Sequence, residues 1–199
     1  MHKLKKLVVT TTLACSLLGF GVTSKTSAAE VSHSVQSGET YWKIASRYGV
    51  PVASLKKRNN QTSNLLHVGQ RLTIPSTISQ ADKDLMAKLV SAEAKGESYA
   101  GKVAVATVIL NRVDSSQFPN SVKGVVYQKD QGYYAFTPVQ NGSINQGADS
   151  ASKKAVNEAL AFRGQGKGSL YFYNPKTAKS NWILSREVTV TIGNHRFAK

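Results

Sequence analysis

The stretch "SAEAKGE", residues 91–97, holds two carboxylates one helical turn apart, Glu93 and Glu97, in a chain with 11 acidic and 26 basic residues. A glutamate whose surroundings raise its pKa can act as a general acid at neutral pH. Two other interpretations are open: a glutamate paired with a buried arginine, or a glutamate at a solvated helix end. The spacing of the two acids does not choose among them.

The helical phase of this segment distinguishes the two acids. A helix capped by Asp82 or Asp84 is predicted to run through it. Apolar or small residues recur along it at helical spacing: Leu85, Leu89, Ala92 and Gly96. Glu93 falls on that stripe, where burial would disfavour its charged form and raise its pKa. Glu97 follows the last glycine of the stripe and is predicted to lie in the turn that ends the helix.

A second, strongly apolar helix is predicted to follow. Ser98 is its expected N-cap, and "YAGKVAVATVILNRVDS" is apolar almost all round, which predicts the central helix of a domain. Asn111 and Arg112 are polar residues at its end. They could reach a neighbouring site or serve as the C-terminal cap of the helix.

The rest of the C-terminal part alternates short elements with loops. Residues 118–120 predict a turn, "SVKGVVYQ" a short helix or strand, and "YYAFTPVQNGSINQGADS" a loop rich in aromatic and amide side chains. Residues 150–163 predict an amphipathic helix, after which glycines break the chain. "SLYFYNP" alternates like a strand, and "SNWILS" and "EVTVTIGNHRFAK" predict further extended structure that ends in a hairpin.

Residues 32–75 predict a separate small module. A strand, a helix capped by Thr40, a second short helix from Val52 and a closing strand follow one another. Trp42 and Ile44 fall on the apolar stripe of the first helix. We assign both to the core of the module rather than to a sugar-binding platform.

Three motifs of this module resemble those of LysM modules, which are βααβ units. They are "V-x-S-G-E-T-x-W-x-I-A", "L-K-x-x-N" and "V-G-Q-R-L-x-I-P". The resemblance implies binding of glycans that contain N-acetylglucosamine, such as peptidoglycan or chitin, in a groove between one helix and a neighbouring loop. The implied groove residues come from two loops: Gly38, Glu39, Thr40, Leu65, Leu66, His67 and Val68.

A second resemblance covers nearly all of residues 82–199. Its motifs are "AEAKGESYAGKVAVATVILNRV", "FPNSVKGVVYQ", "AFTPVQNG", "LYFYNP", "W-I-x-S-R" and "IGNHRFA". Together they resemble the catalytic domain of the SleB-type cell-wall hydrolases, the spore cortex-lytic enzyme family. This implies a mainly helical, lysozyme-like domain, related to the resuscitation-promoting factors, with a small β-hairpin region. The chain as a whole is therefore predicted to be α+β.

The resemblance also implies a site and a reaction. Members of the family cleave peptidoglycan glycan strands as lytic transglycosylases or muramidase-like enzymes, and the glutamate of "A-E-A-[RK]-G-E" corresponds to Glu93. A lytic transglycosylase needs only this one acid, which protonates the glycosidic oxygen and then helps the muramic acid C6 hydroxyl attack C1. A muramidase would need a second carboxylate, and Glu97 is the acid close in sequence. Glu97 and Asn111 are predicted to support the site.

The substrate contacts are predicted among aromatic and amide side chains, because aromatic faces stack on sugar rings and amides bond hydroxyls. The candidates are Tyr134, Phe136, Gln140, Tyr171, Tyr173, Asn174, Trp182 and Asn194. For each apolar ring, a role in the core is the alternative. A non-catalytic wall-binding protein is the rival function, in which the LysM module would act alone.

The N-terminus has the pattern of a secretory signal. Three lysines, Lys3, Lys5 and Lys6, precede an apolar run from residue 7 to 22, and small residues predict cleavage after Ala29. An uncleaved anchor and a lipoprotein site at Cys15 are the alternatives. The chain then divides into a signal, residues 1–29, a LysM module, 32–75, a linker, 76–81, and a hydrolase domain, 82–199.

Composition removes several other enzyme classes. Cys15 is the only cysteine and lies in the signal, so the mature chain has no thiolate nucleophile and no cysteine metal site. The histidines, His2, His33, His67 and His195, form no HExxH or HxH pair. The sequence therefore predicts that no metal and no cofactor is used.

The net charge indicates the surroundings of the protein. Removing a signal with four lysines and no acid lowers the formal charge from +15 to +11, which steers the mature chain toward polyanions. The predicted partners are peptidoglycan glycan strands and anionic wall polymers, with no nucleic acid, no stable membrane insertion and a monomeric state. The predicted location is secreted and associated with the wall of a Gram-positive bacterium. The best-known family member carries a different wall-binding repeat, so spore cortex or coat and vegetative wall are all open.

Overall fold

The computed structural model describes residues 31–199, so the predicted signal at 1–29 lies outside the described residues. The first four elements are β1 (Ser32–Ser34), α1 (Tyr41–Tyr48), α2 (Val52–Arg58) and β2 (Arg71–Thr73). The two strands pair antiparallel, with His33 opposite Leu72. The predicted order of strand, helix, helix, strand is confirmed.

Local signals place the ends of these short elements. The Thr40 hydroxyl accepts a hydrogen bond from the Lys43 backbone N–H, and Gly49 ends α1 in the left-handed conformation at φ +62°. The Asn59 side chain bonds both Leu55 O and the backbone of Thr73. That one amide therefore ties the end of α2 to β2 and fixes the shape of a module that has little core.

The core assignment on α1 is half right. Ile44 is fully buried with Tyr41, Leu55 and Leu72. Trp42 was predicted to be in this core, but its side chain is 41% exposed. The Trp42 ring instead faces Phe162, because α1 also packs against the helix Ser150–Ala161 in the C-terminal part of the chain.

The larger core is built mainly of helices. The elements are α3 (Gln80–Glu93), α4 (Tyr99–Asp114), α5 (Val122–Val126), β3 (Lys129–Asp130), β4 (Tyr133–Tyr134), α6 (Thr137–Gln140), a 3₁₀ helix (Ser143–Gln146), α7 (Ser150–Ala161), β5 (Tyr171–Tyr173), α8 (Asn181–Leu184), β6 (Val188–Ile192) and β7 (His195–Ala198). The predicted central helix, α4, packs against α3, α5 and α7. The chain is α+β with short strands, as predicted.

Three local predictions need correction. Helix α3 begins after Ser79, not after Asp82 or Asp84, because the Ser79 hydroxyl accepts from the Asp82 N–H and donates to its carboxylate. "SNWILS" is not extended but forms α8, one turn held by Ser185 Oγ donating to Trp182 O. The predicted loop that begins at Tyr133 contains β4, which pairs with β3 just before it, and then α6 and the 3₁₀ helix.

Three strands close the C-terminal part. Their order is β5–β7–β6, all antiparallel, with Phe172 opposite Phe197 and an irregular register between Val188 and Val190. The predicted hairpin is confirmed as β6–β7. Its Phe197 is buried in the larger core, so the sheet is fixed to the helices.

The small module packs directly on α7. The Trp42 and Phe162 rings lie 6.3 Å apart, and Lys83 Nζ donates to Tyr48 O over 2.8 Å. Ala161, at the end of α7, is part of the small module's hydrophobic cluster. In the described part of the chain, 31–199, there is no helix with the length and apolar character needed to cross a membrane.

Candidate active site

Glu93 is the last residue of α3 and lies one turn beyond two fully buried residues, Leu89 and Val90. Its side chain is partly buried, and burial raises its pKa to about 7 although the charge of Arg112 acts in the opposite direction. Within residues 31–199 its carboxyl group takes part in no hydrogen bond or ion pair. A carboxyl with a pKa near neutrality and no internal partner is free to exchange a proton with a bound molecule.

Arg112 is the cation whose charge acts on Glu93, and it is held by aromatic rings rather than by a carboxylate. Its guanidinium carbon lies 5.0 Å from the ring centroids of Phe118 and Phe136 and 5.6 Å from that of Tyr171. Its Nε donates to Leu170 O over 2.7 Å. Glu93 and Arg112 therefore form no salt bridge. The guanidinium contacts three aromatic rings and Leu170 O instead.

Glu97 has a different environment from Glu93. It lies in the turn between α3 and α4, and its carboxylate accepts hydrogen bonds from the backbone and side-chain amides of Asn194, at 3.4 and 3.2 Å. His195 Nδ1 lies 3.9 Å from the same group. A β-carbon at Gly193 would collide with Glu97 Oε2. Glu97 thus ties the β6–β7 turn to the end of α3 and is committed to that contact.

Asn111 also has an internal role. Its Nδ2 donates to Ser169 O over 2.9 Å, next to the Arg112 contact with Leu170 O. The end of α4 therefore fixes the start of β5, which carries Tyr171 to the guanidinium of Arg112. The structure thus bonds Asn111 to the backbone next to β5, and its supporting role at the site stays a prediction.

The predicted substrate contacts divide by burial. Phe136 and Tyr173 are 2% and 7% exposed, so their rings are core residues. Trp182 is 50% exposed and meets Tyr171 edge to face at 5.0 Å. Tyr171 is one of the three rings around Arg112, and Trp182 extends this row of rings to the surface.

The predicted amide contacts are mostly occupied. Asn174 Oδ1 accepts from the Lys176 N–H, Gln140 Oε1 from the Tyr134 N–H and Asn194 bonds Glu97. These side-chain oxygens are used to shape turns and to join neighbouring loops. Tyr134 is half-buried, with Lys129 Nζ 4.5 Å from its ring centroid.

Sequence reasoning left one cation open and missed another. Arg112 was predicted either to reach a neighbouring site or to cap the end of α4, and an arginine in an apolar helix already indicates a special environment. Arg186 lies 4.1 Å over the Trp182 ring and 5.8 Å from that of Tyr171. Its only sequence signal was its place after Trp182 in "W-I-x-S-R".

Among the residues predicted to line the groove of the small module, Glu39 is bonded within the protein. The Glu39 carboxylate accepts from the Gln36 N–H and contacts His33 Nε2 at 2.6 Å and Arg47 at 2.7 Å. These donors lower its pKa to about 2. Glu39 is internally bonded, so in this module a ligand would meet the neighbouring backbone and the exposed Leu65 and Val68.

The other groove residues keep their loops in shape. The Thr40 hydroxyl is used as a helix cap, and Gly38, at φ +74°, accepts from Lys43 Nζ through its carbonyl oxygen. The His67 N–H donates to Gln70 Oε1, and Leu66 packs on the module's core. Across residues 31–199 no group of three or more His, Cys, Asp or Glu side chains is arranged to hold a metal ion.

Glu93, the arginine whose charge acts on it and the βααβ module are the features to compare with known proteins. Residues 96–198 match the family described as Cell Wall Hydrolase, and residues 33–75 match the LysM domain. The hydrolase match spans more than half of the chain. This protein belongs to the cell wall hydrolase family and carries a LysM module before the hydrolase region.

Within this family, the chain is similar to spore cortex-lytic enzymes. The chain is 41% identical over 131 residues to a spore cortex-lytic enzyme of Halalkalibacterium halodurans, covering 66% of this chain and 38% of that protein. It is 44% identical over 126 residues to a spore cortex-lytic enzyme of Bacillus cereus, covering 63% and 47%. The chain thus spans less than half the length of these curated relatives.

A solved structure agrees with them. The catalytic domain of the germination-specific lytic transglycosylase SleB from Bacillus anthracis is 44% identical, with a TM-score of 0.56, and covers 63% of this chain and 100% of its own. Glu93 lies three residues before the family match begins. The match to the B. cereus relative covers 126 of the 199 residues of this chain. A stretch of that length includes position 93 wherever it starts.

Proposed function

We propose that this protein cleaves the glycan strands of peptidoglycan at the bond from N-acetylmuramic acid to N-acetylglucosamine, as a lytic transglycosylase with Glu93 as its single acid and base. The observation that carries the proposal is the carboxyl group of Glu93, which is partly buried, internally unpaired and raised in pKa to about 7. The family match and the named relatives support the substrate class.

The first step requires a protonated acid. With a pKa near 7, a large share of Glu93 carries its proton at neutral pH and can transfer it to the leaving glycosidic oxygen. Developing positive charge at C1 of the muramyl unit then faces a newly formed carboxylate. In the second step this carboxylate accepts the proton of the muramyl C6 hydroxyl as that oxygen attacks C1, which gives a 1,6-anhydro product and regenerates the acid.

Arg112 has two opposed effects on this cycle. Its positive charge favours the carboxylate form of Glu93, which the second step needs, while burial favours the protonated form. Since the guanidinium is held by three aromatic rings and Leu170 O, it stays close without forming a salt bridge that would remove the carboxyl from use.

The engagement of Glu97 favours the transglycosylase over a hydrolase. A hydrolase of the lysozyme type places a second carboxylate beside the scissile bond as a nucleophile or base. Glu97, the acid nearest in sequence, is committed to Asn194 and the β6–β7 turn. An internal hydroxyl as the nucleophile requires no second acid.

The LysM module is proposed to hold the enzyme on the wall. It is packed on α7 of the hydrolase region, so a strand bound at the exposed Leu65 and Val68 would be held beside the same domain. We further propose that the chain is exported, and that its excess of positive charge strengthens retention by anionic wall polymers.

Product analysis tests the proposal. Purified protein is incubated with peptidoglycan, and the released muropeptides are identified by mass spectrometry. Anhydro-ended products from wild type, and none from Glu93→Gln, are expected. Glu187→Gln, at an exposed glutamate, is the matched control and should behave as wild type. Reducing-ended products would replace the transglycosylase by a hydrolase, and equal release by Glu93→Gln would remove Glu93 from the mechanism.

A further inference from the structure

Beside the caged Arg112, a second arginine lies at the outer end of the aromatic row. The Arg186 guanidinium is 4.1 Å from the centroid of the Trp182 ring and 5.8 Å from that of Tyr171. Tyr171 is also 5.6 Å from the Arg112 guanidinium, whose charge acts on Glu93. The row therefore runs from Arg112, whose charge acts on Glu93, to the exposed Trp182.

The donors of Arg186 are not used within the protein. Its Nε is buried and has no hydrogen-bond partner, and no carboxylate in the described residues, 31–199, pairs with its guanidinium. Buried polar groups normally have partners, so the unpaired Nε of Arg186 is an exception that calls for an explanation. Because stacking on Trp182 uses the flat face of the guanidinium, the N–H groups in its plane stay available.

We propose that Arg186 and Trp182 form a subsite that binds a carboxylate carried by the muramyl unit of the glycan strand. This inference rests on the function proposed above. A planar guanidinium matches a carboxylate through two parallel hydrogen bonds. On peptidoglycan, carboxylates are carried by the peptide on the lactyl group, or by the lactyl group itself where the peptide is absent. Both sources place the anion on the sugar whose C1 is attacked.

The position of the subsite gives it a role in specificity. A strand that lies along Tyr171 would present its muramyl substituent to the outer end of the row, where Trp182 is half exposed. Binding an anion there would favour substituted muramyl units at the scissile bond. Glucosamine units carry no carboxylate and would gain nothing from the contact.

The test compares Arg186→Met with wild type on peptidoglycan freed of phosphate polymers by acid treatment. One portion is left unmodified, and in another the carboxylates are converted to methylamides with a carbodiimide. For wild type, we expect kcat/KM to fall about tenfold or more on the amidated strands, as for loss of charge-assisted hydrogen bonds. Arg186→Met should show a similar fall on unmodified strands and no further fall on amidated ones.

Three additions separate charge recognition from a structural effect. Arg186→Lys keeps the charge without the fork and should recover part of the activity. Lys154→Met, which removes one positive charge from the exposed side of α7, should behave as wild type. Sedimentation of Glu93→Gln, with and without Arg186→Met, on the same strands should show the same carboxylate dependence in binding.

A third substrate identifies the source of the carboxylate. Strands stripped of peptide by an amidase retain only the lactyl carboxylate. If dependence on Arg186 persists there, the lactyl group is the ligand, and if it vanishes the peptide is; both results support the subsite. The subsite is overturned if the loss of kcat/KM in Arg186→Met, measured against wild type on the same strands, is as large on amidated strands as on unmodified ones. If wild type cleaves no strand at all, the proposed function fails instead.

Discussion

The loop of the LysM module and the end of α3 each bury a glutamate, with opposite results. Glu39 is met by the Gln36 N–H, His33 and Arg47, and its pKa falls to about 2. Glu93 is partly buried without a hydrogen-bond donor, and its pKa rises to about 7. Burial alone therefore does not decide what a carboxylate does. The donors supplied by the surrounding loops decide whether it holds the fold together or remains free for chemistry.

Glu97 shows a third outcome only four residues from Glu93. It lies in the turn after α3 and accepts hydrogen bonds from Asn194, on a hairpin that is almost a hundred residues later in the chain. The partner comes from a distant strand, so the local sequence gives no sign of it. Two acids in one short stretch thus have different surroundings.

The largest effect is expected at the unpaired acid. Glu93→Gln should lower the rate of glycan cleavage by about 10³-fold or more, because no proton donor then faces the glycosidic oxygen. Glu39→Gln should leave the turnover of a soluble glycan fragment within about twofold of wild type, since Glu39 is in the other module. Release of soluble fragments measured over time compares them. Similar losses in both variants would contradict the division of roles.

The pH dependence of stability provides the next largest effect. Folding raises the pKa of Glu93 from its ordinary 4.5 to about 7, so the folded state binds this proton more tightly than the unfolded chain. The free energy of unfolding falls as pH rises through this window, by up to about 3 kcal/mol. Glu93→Gln should therefore be more stable than wild type at pH 8. Denaturant unfolding should show that this difference disappears near pH 4.

The contact between Glu97 and the β6–β7 turn can be tested at the glycine. Gly193→Ala should lower the free energy of unfolding by more than about 1 kcal/mol, because its backbone is left-handed at φ +57° and the new methyl group meets Glu97. Gly132→Ala is the matched control: it has φ +88° with open space around it. Equal losses in the two variants, measured by urea unfolding, would mean that the Glu97 contact contributes nothing.

The smallest effect is expected for Glu39→Gln on stability. The amide still accepts a hydrogen bond from the Gln36 N–H, so only the part that depends on charge is lost. Since folding lowers the pKa of Glu39 from 4.5 to about 2, its stabilising charge is present above pH 4.5 and lost as pH falls toward 2. The melting temperature should be lower than wild type by a few degrees at pH 7. A deficit that persists unchanged at pH 2 would rule out the charge as its cause.

Much of the fold could be predicted from the local pattern. The βααβ order, the Thr40 and Ser98 caps and the central position of α4 follow from periodicity and capping residues. The errors occurred where short segments were ambiguous. Helix α8 is a single turn of four residues, too short for a helical repeat to be recognised, and the Ser79 cap of α3 is bonded to Asp82, one of the two residues predicted as the cap.

Part of the candidate site could also be predicted from the local pattern. The helical phase put Glu93 on the buried side of α3, and the aromatic content of the last third identified Tyr171 and Trp182. Burial of Phe136 and Tyr173 and the internal bonds of Glu39 and Asn174 could not be predicted, since each depends on a neighbour from another segment.

By itself the sequence determined which residues can ionise, which helix faces are apolar and that Glu93 and Glu97 fall on different parts of a helix end. These are properties of residue type and of the repeat of 3.6 residues per turn. Tertiary structure alone decided which acid stays unpaired. Asn194 comes to Glu97, three aromatic rings enclose Arg112, and no donor reaches Glu93. Such partners lie far apart along the chain, and only packing brings them to one carboxylate and keeps them from another.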